Sequence, residues 1–574
     1  MAGLLSLRRL WLVSVSAVLA AGCAPRRPPG ALVPTIVGAS PRDTVVILGG
    51  SPITDTMPAV EPGRFDTGKM WTFENPPLDY FAEAYGFRPS DAWLTRLRMA
   101  ALRLPECTAS FVSAEGLVLT NHHCAREGAS AVSRPDEDLI THGFLAADRT
   151  EERRVPGLYA DQLVEIHDVT AEVQAAPDPT QPEDAQIEAR DSVVEHIQQR
   201  LSQTRGLTCE VTSLYHGGKY SSYCYRRYED VRLVFIPELA IGYFGGDPDN
   251  FTYPRYVLDV SLFRVYGADG QPLRTETFLP WSDSGVAPGE PVFVVGNPGS
   301  TSRLHTIAQL EYRRDVQAPF TVRLLESRAA IFKAYLEEHP AKRATLINDY
   351  FSLTNALKAY RGELEGLRTP ALMARKVAFE RGFRATLARD TGLARQYGHL
   401  WDEIADIRTR IRDIAPTLNA LNQGGVLRSR TLEAGTRMLQ YARAVDGGFA
   451  PESVLADVRR TIETTGIDPA LDARILAAQL EDAVMLLGPD DQFVREALQG
   501  RSPAEAAAAI VAGSAVPDSA RRAALLDDPS ALLVSQDPAL RLLQSTLPRL
   551  QEVAQEYQSL TASEEVRTSR LARA

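Results

Sequence analysis

The sequence predicts a β plus α multi-domain protein, a β-rich region followed by a large all-helical domain, and three observations carry that reading. Short apolar runs broken by Gly- and Ser-containing turns recur between residues 100 and 300, the pattern of strands and hairpins. From about Gln309 the apolar residues instead recur every three or four positions, as on one face of a helix. Four of the five cysteines form two local pairs, Cys107 with Cys124 and Cys209 with Cys224, each bracketing one predicted hairpin.

The first 66 residues stand outside this fold. Arg8 and Arg9 precede an apolar run, Leu10 to Gly22, that is too short to span a bilayer comfortably. Ala20-Ala21-Gly22-Cys23 then reads as a lipoprotein cleavage site, although its first position is usually Leu; a plain signal peptide with an incidental Cys is the alternative. Residues 1–23 are thus expected to be an export signal with Cys23 as the lipidation site. The protein would be periplasmic or an outer-membrane lipoprotein, touching a membrane only through that anchor. Residues 24–66 are rich in Pro, Gly, Ser and Thr and read as a tether. Export places the remaining four cysteines in an oxidising compartment, where an even count favours two disulfides, each worth ~3 kcal/mol.

At 574 residues the chain has room for two or more cores, and 44% hydrophobic with 24% charged residues is ordinary for a globular protein. A formal net charge of −11 argues against a nucleic-acid partner.

Along the chain, Met70 to Leu104 mixes aromatics with helical spacing (Phe81, Tyr85, Trp93, Leu97). Cys107 to Cys124, CTASFVSAEGLVLTNHHC, reads as a hairpin of Thr108 to Val112 and Leu117 to Thr120 around Ser113-Ala114-Glu115-Gly116. A Cys107–Cys124 disulfide would staple the ends of this hairpin and fix the backbone carrying His123, the rigid mount a catalytic base needs. A buried hairpin with a chance His pair is the plain alternative. A metal site of His122, His123 and Cys124 is disfavoured, because adjacent side chains on a strand point to opposite faces.

A strand from Leu163 to Val169, a helix around Glu183 to Gln203, a hairpin about Gly217-Gly218 and a strand from Val231 to Ile236 follow. In Tyr243 to Tyr266, YFGGDPDNFTYPRYVLDVSLFRVY, a tight loop presents Asp247, Asp249 and Asn250, and Val257 to Val265 reads as a strand bearing Asp259. An acid in an apolar run is costly to bury without a partner. An imidazole N–H is one partner; an ion pair such as that with Arg255, or a solvent-facing position, is the other reading. Pro291 to Gly299 reads as one more strand with a sharp turn, and Ser300 as a loop residue. In the helical part, Leu325, Ala329, Phe332 and Leu336 share one face, as do Leu346, Tyr350, Leu353, Leu357 and Tyr360, leaving Asn355 off the stripe.

Together, CTASFVSAEGLVLTNHHC, GGDPDNFTYPRYVLDVSLFRVY and FVVGNPGSTSR resemble serine peptidase family 46, the bacterial periplasmic dipeptidyl-peptidases. The likeness runs from about Met70 to the end. It implies a chymotrypsin-like double β-barrel with a large inserted all-helical domain over the active site: residues 67–308 the N-terminal part of the peptidase domain, 309–574 the helical domain. It implies release of dipeptides from oligopeptides with a free N-terminus, with no cofactor and no metal. Residue by residue, His123 matches the general base, Asp259 the triad acid and Asn250 the residue holding the substrate α-amine. Phe251 stands where the family often has Trp, and Asn355 is a further candidate for binding the amine. A homodimer is also the family's tendency.

One departure is large. The family's nucleophile lies in a Gly-Asn-Ser-Gly-Ser-Pro loop after the helical domain, and no Gly-x-Ser-Gly occurs in these 574 residues. The sequence therefore carries an expected base and acid without the nucleophile Ser, and the second barrel is expected to be incomplete. Two accounts follow: an incomplete form of a dipeptidyl-peptidase, or a non-catalytic peptide-binding lipoprotein derived from one.

Overall fold

The structure is a computed structural model that describes residues 60–61, 63–65, 68–178, 180–242, 257–298, 303–448 and 450–574. The signal, the tether before residue 60, Cys23, Asn250, Phe251 and Ser300 lie outside the described residues. The chain divides into two units, Gly63–Leu304 with Glu565–Ala574, and His305–Glu564.

Among the described residues the first unit is built on ten strands: β1 Ala101–Arg103, β2 Thr108–Phe111, β3 Leu117–Thr120, β4 Phe144–Leu145, β5 Arg153–Arg154, β6 Ala160–Asp168, β7 Thr208–Leu214, β8 Lys219–Tyr228, β9 Asp230–Ile236 and β10 Ser261–Tyr266. All pair antiparallel in one sheet of order β4-β9-β10-β3-β2-β1-β6-β8-β7, with β5 also on β9. No pairing among the described residues joins the β4 and β7 ends of that path. Alternate residues face the core, as the two-residue period of a strand requires: Ala109 and Phe111, Val231 and Leu233, Phe263 and Val265 are all buried.

The predicted hairpins form because their turns are locally encoded. In β2–β3 the Ser113 hydroxyl accepts from Glu115 N and Leu117 N, and Gly116 closes the turn at φ +68°. A Cβ there would also lie 2.8 Å from Val265 O, so both backbone angle and space require glycine. In β7–β8, Cys209 and Cys224 are directly opposed in the ladder and joined by a disulfide. The helix Glu183–Arg205 precedes them and pairs Glu183 with Arg567 and Arg190 with Glu565 near the chain end.

One predicted strand is corrected. Residues 291–298 join no ladder, and Val292 and Val294 are 71% and 98% exposed. Apolar β-propensity alone does not make a strand; a neighbour with free backbone groups must lie alongside. Phe293 is drawn in, packing edge-on against Phe81 and Trp93.

Among the described residues the second unit has helices and no strand. Leu325, Ala329, Phe332 and Leu336 of the helix Ala318–Glu338 are buried, as their spacing predicted. On the helix Arg343–Leu367, Leu353 is buried while Leu346, Tyr350, Leu357 and Tyr360 pack partly buried against the same core. Two fully buried arginines here are well engaged: Arg328 donates to Leu427 O, Gln423 and Asp482. Arg522, with no exposure, donates to the carbonyls of Ile462, Glu463 and Thr465 at the end of the helix Glu452–Thr464. It supplies donors to helix-end acceptors, of which Ile462 O also takes the backbone N–H of Thr465.

Candidate active site

The site lies where the β3–β10 ladder ends. Thr120 pairs with Ser261, so the chain just beyond each strand, Asn121 on one side and Asp259-Val260 on the other, is left adjacent. Asp259 is not within a strand, as the sequence reading had it; it precedes β10 in irregular backbone. The ladder begins only at Ser261, and that frees the Asp259 carboxylate to turn toward the facing segment.

The mount of His123 is also different from the expected one. A helix, His122–Val132, starts directly after Asn121, and His123 is its second residue. Ala125 and Ala129, four residues apart, bury the other face of this helix against the sheet core. Cys124 is tied to Cys107, just ahead of β2, by the predicted disulfide, with Cα atoms 6.1 Å apart. The hairpin therefore delivers the histidine from a helix start rather than from a strand, and the staple fixes that start.

His123 Nδ1 lies 3.1 and 3.0 Å from the two carboxylate oxygens of Asp259. The backbone N–H of His123 donates to Oδ1 at 3.1 Å, and the Asn121 amide donates to Oδ2 at 3.0 Å and to the Asp259 carbonyl at 3.3 Å. A carboxylate only accepts hydrogen bonds, so it selects the tautomer with the proton on Nδ1 and leaves Nε2 with a free lone pair. Burial by itself would raise the Asp259 pKa; the hydrogen bonds from the His123 ring and backbone and from Asn121 outweigh it, and the carboxyl is held below its usual range. Its place at a helix N-terminus favours the same charged form.

His122 has the opposite environment. It is fully buried, and among the described residues neither ring nitrogen has a partner of good hydrogen-bond geometry. Desolvation and the nearby Arg126 charge push its pKa down to about 4, so the ring is neutral near pH 7. Its ring lies against Gly242, where an added Cβ would come within 2.5 Å of it. Sequence reading set His122 aside, and passed over Asn121 entirely; an Asn immediately before a helix start is the signal that could have drawn attention to the latter.

The three groups Cys107, His123 and Cys124 bring potential ligand atoms within 4.8 Å of one another. Both sulfurs are joined in the disulfide, so no thiolate is held there. The strand geometry invoked against a metal does not apply, since these residues open a helix; the disulfide is the physical reason that does. Asn355 sits half-buried on the helix Arg343–Leu367, in the helical unit. The structure thus brings His123 and Asp259 together and adds Asn121.

Comparison with known proteins places the chain by family and fold. The sequence profile of the family Peptidase S46 matches residues 65–574. Dipeptidyl-peptidase 7 of Porphyromonas endodontalis is 29% identical over 471 residues, 78% of this chain and 56% of that protein. An Asp/Glu-specific dipeptidyl-peptidase of Capnocytophaga gingivalis is 27% identical, over 59% of this chain and 49% of its own length. The chain spans about half the length of the curated relatives it matches. The crystal structure of Porphyromonas endodontalis DPP11 in complex with the dipeptide Arg-Asp superposes with a TM-score of 0.71 at 20% identity, covering 89% of this chain and 76% of that one. The likeness is one of fold: a mixed α/β protein with a large antiparallel sheet and many helices.

Proposed function

The chain belongs to the peptidase S46 family, and on that premise we propose that it carries the base-and-acid half of a serine-type dipeptidyl-peptidase acting on oligopeptides with a free N-terminus. The observation that carries this reading is the His123–Asp259 pair, 3.0 Å apart, on a helix start fixed by the Cys107–Cys124 disulfide. In it His123 Nε2 takes the proton of a serine hydroxyl as that oxygen attacks the peptide carbonyl, and returns it to the leaving amine. Asp259 holds the ring in the required tautomer and stabilises the imidazolium formed during the reaction.

Asn250, Phe251 and Asn355 are assigned to the substrate by family likeness, Asn250 and Asn355 on the α-ammonium group and Phe251 as an aromatic wall. An amine clamped at a fixed distance from the scissile bond sets the register of cleavage and explains release of dipeptides over internal cuts. A double β-barrel completed around this sheet, export, and a lipid on Cys23 belong to the same proposal. So do the domain limits 67–308 and 309–574 and a homodimer.

The test is calorimetric titration of the 574-residue chain with tetrapeptides differing only in N-terminal acetylation. Loss of charge-assisted hydrogen bonds at the amine is expected to weaken binding about ten- to a hundredfold. Equal affinity for free and acetylated peptides would overturn the assignment. Dipeptidyl coumarin substrates are expected to stay intact with this chain, since no Gly-x-Ser-Gly loop occurs in it to supply the nucleophile. Fluorophosphonate-sensitive release would show that another serine fills that role.

A further inference from the structure

We propose that Asn121 is a positioning residue: its side-chain amide holds Asp259 in place and thereby fixes the tautomer of His123. The inference rests on reading His123 as the base, and adds a residue that the triad logic does not contain.

Asn121 forgoes the ordinary role of its position. It occupies the N-cap position of the helix His122–Val132, where Asn is among the most favoured residues because its side-chain oxygen accepts from the first free N–H groups. Here the side chain makes no such bond. Its amide nitrogen is turned outward instead, donating to both the carboxylate and the carbonyl of Asp259. The capping acceptor is Asp259 itself, which takes the N–H of His123, the second residue of the helix. The two residues have exchanged roles, the distant acid capping the helix and the local Asn holding the acid.

Asp259 needs such a hold. It lies outside the β10 ladder, so sheet pairing does not set its backbone. Among the described residues two bonds tie the segment down: Leu258 N donates to Ile241 O at 2.8 Å, and the Asn121 amide donates to Asp259 O. With the Asn121 amide removed, the carboxylate keeps, among the described residues, only its contacts to His123, the residue it is meant to orient. Because Asn121 engages Oδ2 while the His123 N–H engages Oδ1, the carboxylate plane is held from two directions.

Substitution by Asp separates this role from ordinary capping. As an N-cap, Asp equals Asn, so Asn121→Asp should be silent if capping were the function. As a donor, Asp supplies nothing and sets a second carboxylate against the first. The readout is the pair of ring-nitrogen resonances of His123 in full-length chain labelled with ¹⁵N-histidine, assigned with His123→Gln, at pH 8. In the parent the two signals are expected far apart, one N–H and one bare nitrogen. In Asn121→Asp and Asn121→Ala the separation is expected to fall by at least half, and Asn121→Gln, which keeps a donor, should restore part of it. An unchanged separation in Asn121→Asp would overturn the proposal. A measurement on the parent guards against variants that do not fold: the Asn121 side-chain amide protons should exchange with solvent at least tenfold more slowly than those of an exposed Asn, and fast exchange would also overturn it. None of these readouts needs turnover. A locked His123 in a chain indifferent to peptide amines would sink the peptidase reading and leave this inference standing.

Discussion

The β2–β3 hairpin and the β7–β8 hairpin each carry one disulfide, between cysteines 17 and 15 residues apart, and their surroundings could hardly differ more. The first lies inside the sheet, between β1 and β10, with Phe111 and Val118 fully buried. The second ends the sheet at β7, a strand in which Cys209 alone is buried. Cys209–Cys224 joins two residues the ladder already places opposite each other. Cys107–Cys124 instead crosses from the front of a strand to the first turn of a helix, tying together elements that no ladder connects. Even the tips differ: one left-handed glycine, Gly116, closes the first, whereas Tyr215, His216 and Gly217 all take positive φ in the second. The same Cys-spacing grammar thus produces a reinforcement in one place and a mount in the other.

The largest test of this contrast is in the packing. Phe111→Ala should cost about 3–5 kcal/mol, the cost of emptying a fully buried aromatic site, whereas Val211→Ala on β7 should cost about 1 kcal/mol, as at a half-buried position. Urea unfolding followed by circular dichroism measures both, and equal losses would break the distinction between interior and edge.

The disulfides give the sharper comparison. Chain entropy depends on loop length, so replacing either pair by serines should cost a similar ~3 kcal/mol. Only Cys107→Ser with Cys124→Ser should also collapse the separation of the His123 ring-nitrogen signals; Cys209→Ser with Cys224→Ser should leave them as in the parent. An identical response at His123 would show that its helix needs no staple.

The smallest effect is acid sensitivity, which belongs to the first hairpin through His122. Its folded pKa of about 4 lies below the ordinary ~6.5, so the unfolded chain takes up the proton first. Its contribution is fully present above pH ~6.5 and is lost as pH falls toward 4, at most about 3 kcal/mol. The Asp259 contribution, from a carboxyl held below its usual range, is lost lower still, beneath pH ~3.9. Unfolding free energies between pH 7 and pH 4 should therefore fall in the parent and stay flatter in His122→Gln.

What was legible in the sequence follows from how far each signal reaches. Both hairpins, the helix Glu183–Arg205 and the buried face of Ala318–Glu338 rest on patterns within one element, and all were readable. The pairing of His123 with Asp259 was readable only through motif likeness, since the two are 136 residues apart. What failed was context. Val257–Val265 looks like one strand, yet its partner β3 ends at Thr120, so the ladder starts at Ser261 and Asp259 falls outside it. Pro291–Gly299 has strand composition, but residues 291–298 meet no free edge. Asn121 was invisible because the amide's partner is set by tertiary structure, whereas the local signal at its position is an ordinary cap.

That the helix bearing His123 is capped by Asp259 has a consequence for how the molecule comes into being. A chain made from its N-terminus has Asn121 and His123 in hand while the acid that completes their turn is still 136 residues from being added. During that interval the short helix start has neither its cap nor its β10 neighbour, and isolated helices of this length are marginal. Cys107 and Cys124, by contrast, are both present as soon as residue 124 is. Once both cysteines are in an oxidising compartment, their crosslink needs nothing beyond residue 124 to hold this turn, whereas the cap needs Asp259.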